Sequence, residues 1–543
     1  ADPQGPLNQS REERGRYKAK LQRSVYAALP HYFGRDPAHP TTQIGARSDL
    51  YVYFYFHALS LLNDDGVFCF VTSNSWLDVD YGKVLQEFLA RQVPMHLVID
   101  NQVKRSFANA DVNTVIVVFG APRDRRDACL DHTARFVMAL VPFEQVLDPV
   151  IIQEIEAAPE RTERHEFRVF PRTQRELLEA RAPAEERPRR GGPLIKLGSY
   201  EGDKWGGKYL RAPEIYWEIL ERAGDRLVPL GEIADVRRGF TTGANDWFFV
   251  RVVEDLGDGL VRIRCDDCDR SEHVLESEFV KWPLISKARE IIAPDVDPAQ
   301  LAYRVVLVPE GVKRPPRHLA GYISWGEAQP RAYHRRPFFK NIDPANWFRH
   351  LGIREPADMV VPIGHKRRLV AALLHGTIVS DNLVEARLHD PSSRDAVAGS
   401  LFSTFTLIQF EVFGRANFGQ GLLKTQTGDV SGLLVLDPES VSGGQRCALI
   451  DALSELRGRM PLMAYDDVRR DDRRALDDAF LAAVGFRDRA ERAETLASMQ
   501  DAACRMIWRR MAKSANTRES RQSYDEWLAS GEPFDANAED LDE

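Results

Sequence analysis

The stretch Ser106 to Gly120, SFANADVNTVIVVFG, places an aromatic ring, Phe107, among small and polar residues just before an apolar, β-branched run, Thr114 to Phe119. The run has the character of a strand covered on both faces. A ring in that position either packs under its own loop or offers a flat face to a ligand. A second polar loop, TSNSWL from Thr72 to Leu77, follows the short apolar run Val67 to Val71. Its Ser73 and Asn74 either line a pocket or form an ordinary polar turn. Tyr51 and Phe54 stand at the start of a helix that Ser48 can cap, with Asp49 in its first turn. Asp49 and Tyr51 are equally explained as cap and core, and Phe54 fits the helix's own buried stripe. Cys265 and Cys268 raise a zinc reading, but a tetrahedral structural site needs four ligands and only His273 lies near them. No metal site is therefore expected. No Ser-His-Asp signature or phosphate-cradling glycine loop stands out.

The elements that must position these residues are helices and strands in alternation. Leu50, Tyr53, Phe54, Ala58, Leu61 and Leu62 fall near helical spacing, and NDDG (Asn63 to Gly66) breaks that helix. Strand Val67 to Val71 reads as short and buried. A helix from about Tyr81 to Gln92 and a strand, Met95 to Asp100, follow. This alternation predicts a mainly parallel sheet with helices on both faces, and in open parallel sheets ligands bind beyond the carboxyl ends of the strands. The Tyr51 helix start, the Ser73 loop and the Phe107 loop converge there.

Four regions are predicted along the chain. Residues 1–125 read as half of an α/β domain. Residues 126–225, rich in Arg, Glu and Pro over much of their length, read as a solvated connector and bridge. Residues 226–440, with short strands and Gly, Pro and Asp turns, read as an α+β domain. Residues 441–543 read as a helical region with amphipathic spacing. It ends in the acidic DANAEDLDE, expected to be a disordered tail.

At 543 residues, 43% hydrophobic and 28% charged, the chain has the balance of a globular protein with several cores. No apolar run reaches the length of a membrane span, and the six scattered cysteines do not form a disulfide framework. A cytoplasmic location and no membrane partner are expected. The net charge of -8 excludes a uniformly basic coat but permits a basic cleft.

SDLYVYFYFHALSLLNDDGVFCFVTSNSWL, then YGKVLQEFL, then SFANADVNTVIVVFG resemble the second half of a gamma-class adenine-N6 DNA methyltransferase. More narrowly, they are similar to the large restriction-modification and phage-defence enzymes that join methylation and target recognition in one chain. GDKWGGKYLRAPEIYWEIL (Gly202 to Leu220) resembles the bridge in such proteins. LGEIADVRRGFTTGANDWFF (Leu230 to Phe249) and FGQGLLKTQTGDVSGLLVLDP (Phe418 to Pro438) resemble the opening and close of their target-recognition domain. RRALDDAFLAAVGF resembles the helical ending. The resemblance runs in order over nearly the whole chain. It implies the C-terminal part of a Rossmann-like methyltransferase sheet, residues 1–125 being the C-terminal part of the catalytic domain, then an α+β target-recognition domain and a helical end.

The resemblance also implies roles. Phe107 would stack on an adenine flipped out of duplex DNA, with Ser73 and Asn74 lining the target pocket. Phe54, with Asp49 and Tyr51, would meet the adenine ring of the cofactor S-adenosylmethionine. In the recognition domain Arg237, Arg238, Thr241, Thr242 and Asn245 flank the GFTTG turn, as readers of base edges or as a solvated hairpin tip. Lys204, Lys208 and Arg211 on the bridge, Arg335 and Arg336, and Lys366 and Arg367 would contact phosphates. The implied partner is double-stranded DNA, with restriction or defence subunits as further partners.

The sequence departs from the family at two motifs. It contains neither a glycine-rich cofactor loop nor the Asn/Asp-Pro-Pro-aromatic tetrapeptide, both of which would precede Ser48. The chain opens at Ala1 without a methionine, so the expectation is a fragment lacking its N-terminal half, inactive alone, with an unpaired sheet edge that calls for a partner or lowers solubility. The rival readings are a DNA-recognition subunit without catalysis and the C-terminal part of a combined restriction endonuclease-methyltransferase.

Overall fold

The computed structural model describes residues 11–103, 113–179, 196–266, 270–329, 335–352, 354–418, 421–514 and 517–531. Phe107, Cys268 and the acidic tail lie outside them. The chain forms two compact units: Ala1–Ala212 with Glu411–Gly421 and Arg509–Ser523, and Pro213–Phe410 with Leu422–Trp508 and Tyr524–Glu543.

The first unit is built on a six-stranded sheet of β1 (Val67–Ser73), β2 (Met95–Asn101), β3 (Thr114–Gly120), β4 (Thr133–Ala139), β5 (Thr162–Glu163) and β6 (Phe167–Thr173), in the order β1-β3-β2-β4-β6-β5. The expected strands are present, but the expected mainly parallel pairing is corrected. β3 lies between β1 and β2 and is antiparallel to both, and β6 is antiparallel to β4 and β5, leaving β2 with β4 as the parallel pair. β1, β2 and β4 still run in one direction. The helix Lys83–Gln92 carries the chain from β1 to the parallel β2, and β3 returns into the gap between them.

The connector expected from residue 126 is corrected in the same way, because β4 and β6 extend the sheet within it. Their inward residues Val137, Ala139, Phe167 and Val169 form a core with Leu97 and Ile99 of β2 and Ile155 of the helix Pro149–Ala157. Alternation at period two buries one face of such strands even where the flanking sequence is strongly charged.

Strand β1, expected to be buried, is only partly so. It stands at the sheet edge with Val67, Cys69 and Val71 exposed and Phe68 and Thr72 inside. The neighbouring helix is Leu50–Ser60, and Asp49, not Ser48, is its N-cap, accepting from the Leu50 N–H at 2.6 Å. Its buried face is Val52, Tyr53, Tyr55, Phe56 and Leu59, while Leu50, Phe54 and Leu61 from the expected stripe face outward. Tyr55 meets Phe68, Phe70, Trp76 and Phe119, so an aromatic cluster decides which face turns in.

The second unit contains several short-stranded sheets. One has Ala372–Leu373, Met359–Pro362, Leu383–Leu388 and Ala234–Arg238 side by side. Another is built around Phe249–Gly257 and Leu260–Arg264, over a core containing Trp247, Tyr322 and Trp347. The helices Gly443–Arg457 and Asp471–Val484 follow, and Arg489–Ala512 after them, as the amphipathic spacing predicts. No single helix among the described residues is long and apolar enough to cross a membrane. One bent pair, Pro391–Leu401 with Thr404–Phe413, passes by length and composition, and its apolar residues are buried in the protein.

Candidate functional site

The carboxyl ends of β1 and β2 and the entry to β3 meet in the first unit. The Asn74 backbone N–H donates to the Asn113 carbonyl at 3.0 Å, and its side-chain amide donates to Asp100 Oδ2 at 3.2 Å. The other Asp100 oxygen accepts from the Asn101 N–H at 2.6 Å. Asn74, Asp100 and Asn101 are all buried, so these bonds are made in a low-dielectric setting where an unmade one is expensive. Asp100 is spent on two amides and orients them. Ser73 accepts from the Ser75 N–H and shares a hydroxyl contact with Ser75 at 2.9 Å, which turns the chain after β1. Lys513 adds an ammonium that donates to the Asn101 carbonyl at 2.6 Å, and the Asn113 side chain donates to the Ala416 carbonyl at 3.4 Å.

Asp100, Asn113 and Lys513 were not singled out from the sequence. Asp100 and Asn101 had a signal, since they end the apolar run MHLVIDN at a strand's carboxyl end. Lys513 had none, because 412 residues separate it from Asn101. Phe107 lies on the segment between Asn101 and Asn113, outside the described residues.

Beside this cluster, the Tyr51 and Tyr81 hydroxyls are 2.9 Å apart, and burial raises the pKa of both, so both stay protonated. Phe54 is 58% exposed, which removes the buried-stripe reading and leaves a ring face open to a ligand. Asp49 uses one carboxylate oxygen as the helix cap.

The bridge cations expected to touch phosphates are engaged within the protein. Lys204 is buried and donates to the Asp78 carbonyl at 2.6 Å, Lys208 pairs with Asp203 at 2.8 Å, and Arg211 pairs with Asp78 at 2.8 Å while donating to the Val412 carbonyl at 2.8 Å. Gly206–Arg211 is a turn of π-helix, and a Cβ on Gly207 would stand 2.0 Å from the Val412 carbonyl oxygen, so only glycine fits. GDKWGGKYLRA therefore clasps the loop after β1. The structure thus shows Lys204 buried on a main-chain carbonyl and the half-buried Lys208 and Arg211 paired with aspartates, contacts that hold the clasp together.

In the second unit Arg237 and Arg238 are exposed. Arg237 pairs with Glu385 on the facing strand, and Arg238 donates to the Asp381 carbonyl. The Thr241 hydroxyl donates to Asp381 at 2.8 Å, which leaves this exposed tip ordered. Thr242 is buried, accepts from the Ala244 N–H at 3.0 Å and contacts Asn245, so it shapes the turn. Asn245 remains exposed. Gly239 lies against the neighbouring strand, where a Cβ would come 2.1 Å from the Ser380 carbonyl oxygen. Arg336 makes a two-pronged pair with Asp246 at 2.6 and 2.8 Å, while Arg335 is exposed. Lys366 and Arg367 are half-buried. Cys265 is buried with its sulfur 3.0 Å from the Tyr322 hydroxyl, a packing role, and no cluster of metal-ligating side chains occurs among the described residues.

Two family models match the sequence. The Eco57I restriction-modification methylase model matches residues 38–107, and the model of the C-terminal domain of the type II methyltransferase M.Eco57I matches residues 202–460. The first match spans the Phe54 helix, β1, Ser73, Asn74 and β2, and the second spans the clasp and the second unit's sheets. Among solved structures the type IIG restriction endonuclease BpuSI is similar at 15% identity over 92% of this chain, with a TM-score of 0.43. The chain spans about half, 52%, of that protein's length. No curated protein matches. The two family matches identify a restriction-modification DNA methyltransferase as the kind of protein this chain is similar to.

Proposed function

We propose that the chain works within a site-specific DNA methyltransferase of a restriction-modification or phage-defence system, which transfers a methyl group from S-adenosylmethionine to adenine N6 in duplex DNA. The observation that carries this is the pair of family matches, in chain order, over the strand-end cluster and over the second unit. In this reading residues 226–440 are the target-recognition domain.

S-adenosylmethionine supplies an electrophilic methyl carbon. The residues present suit its adenosyl part: the exposed Phe54 ring offers a stacking face, and Asp49 keeps a carboxylate oxygen beyond the one that caps Leu50. Base flipping pays unstacking, and Phe107 returns part of it, about 1–3 kcal/mol, by stacking on the extruded adenine. Asn74, held by Asp100, presents an amide fixed in orientation to the flipped base. Its work is positioning, which suits a transfer that needs the amine lone pair aimed at a methyl carbon.

The test incubates the whole enzyme that contains this chain with tritiated S-adenosylmethionine and a duplex library. Label recovered as N6-methyladenine supports the reading, and label on cytosine refutes the adenine assignment. The rival reading is a DNA-recognition subunit without catalysis. It expects site-specific binding without cofactor, no label, and little change on Phe107→Ala. Absence of both label and binding sinks both readings.

A further inference from the structure

We propose that Arg354, with Arg237 beside it, forms a phosphate-binding site for the backbone of duplex DNA, an inference that rests on the DNA-modifying reading above. The site is carried by the antiparallel strands Ala234–Arg238 and Leu383–Leu388, whose register sets Arg237 opposite Glu385. The Arg237 guanidinium pairs with that carboxylate. Arg354 reaches the same place from another segment and holds its guanidinium carbon 5.4 Å from the centre of the Phe240 ring, two residues beyond the strand.

Arg354 has no ion-pair partner among the described residues, and its Nε is buried without a hydrogen bond. Burial, then repulsion from Arg237, lowers its pKa, with Glu385 opposing. The three groups carry two positive charges and one negative. Nearby His350 adds no charge: its Nδ1 lies 2.8 Å from the Trp347 carbonyl, and burial and Arg354 hold its pKa below the usual value. Arg238 and Thr241, at the same tip, are occupied with Asp381.

A half-desolvated guanidinium beside a second one is costly unless something offsets it. The Phe240 face offsets part and fixes the position. A neutral base edge cannot relieve repulsion between two cations, whereas a phosphodiester oxygen accepts from a guanidinium fork and compensates the excess charge. Phosphate rather than base edge is therefore the chemistry this site lacks. Arg354 carries no motif in the sequence; only the fold brings it to Arg237.

The test measures binding of the chain to several short duplexes of unrelated sequence, by fluorescence anisotropy across a salt series. Arg354→Gln is expected to weaken binding roughly tenfold on every duplex. It should also reduce the slope of log affinity against log salt by about 0.9, one phosphate contact. Arg354→Lys keeps the slope, with a smaller and equally uniform loss, and carries the test if the Gln variant melts early. Unchanged affinity and slope overturn the inference while leaving the DNA reading intact. A loss confined to one sequence also overturns it, in favour of base reading. If the unaltered chain binds no duplex, the DNA reading fails and this inference fails with it.

Discussion

Replacing Gln86 by Leu tests whether the clasp organises the loop that carries Ser73 and Asn74. The buried Gln86 amide donates to the carbonyls of Trp76, Leu77 and Asp203 at 3.0 to 3.1 Å, and its oxygen accepts from the Tyr200 hydroxyl at 3.1 Å and the Asp203 N–H at 3.0 Å. One side chain thus joins the turn after β1 to the segment entering the π-turn. Leucine fills nearly the same volume, so packing is conserved while five partner groups lose their contact. A buried group left unpaired costs about 1–3 kcal/mol, but the strands of this loop can relax and admit water, so the sum falls well short of five full penalties. About 3 kcal/mol is the expected total, close to a hundredfold in the local opening constant. Because the effect is confined to one part of one of the two units, a local readout is needed. Hydrogen exchange of peptides covering residues 74–82 and 200–208 is the right one. The variant should exchange there about a hundredfold faster, while peptides around Thr404 and Asp477 stay unchanged. Equal exchange in both proteins at residues 200–208 would refute the clasp.

Asp477 is fully buried, accepts from the Thr404 N–H at 2.7 Å and its hydroxyl at 2.6 Å, and burial raises its pKa to about 6. A carboxyl whose folded pKa lies above its unfolded value favours the fold when protonated, so this contribution, at most about 3 kcal/mol, is fully present below pH ~4 and is lost as pH rises through ~6. Subtracting the denaturation profile of Asp477→Asn from that of the unaltered protein should isolate the slope; a difference flat between pH 4 and 6 counts against it. Gly207→Ala drives a Cβ into the Val412 carbonyl and should cut soluble yield and raise protease sensitivity, whereas Gly443→Ala, with open space at the first position of its helix, should be neutral or stabilising by up to about 1 kcal/mol. Phe54→Ala should cost under about 1 kcal/mol of stability because its ring is largely exposed, while Phe56→Ala, fully buried, should cost about 3–5 kcal/mol. Calorimetric titration with a non-reactive S-adenosylmethionine analogue should show a roughly tenfold weaker fit for Phe54→Ala; an unchanged affinity withdraws Phe54 from the cofactor's neighbourhood.

Local patterns in the sequence determined which segments are strands and helices here. β1, β2 and β3 begin within a residue of where their apolar runs predict, because β-branched and aromatic residues at that density have no other place to go. The polar loops at strand ends, and with them Ser73 and Asn74, were legible for the same reason. The tertiary structure alone decided what those segments touch. Strand direction was not readable, since an apolar run carries no sign for parallel or antiparallel pairing, and β3 entered between β1 and β2. The fate of each cation was not readable either: Lys204 and Arg211 look like surface charges until Asp78 is brought beside them, and Arg354 gains its meaning when Arg237 arrives without an acid to spare. Periodicity is a property of neighbours along the chain, so the sequence displays it openly. Charge compensation and burial depend on groups tens or hundreds of residues apart, and only folding brings them to within a few ångströms.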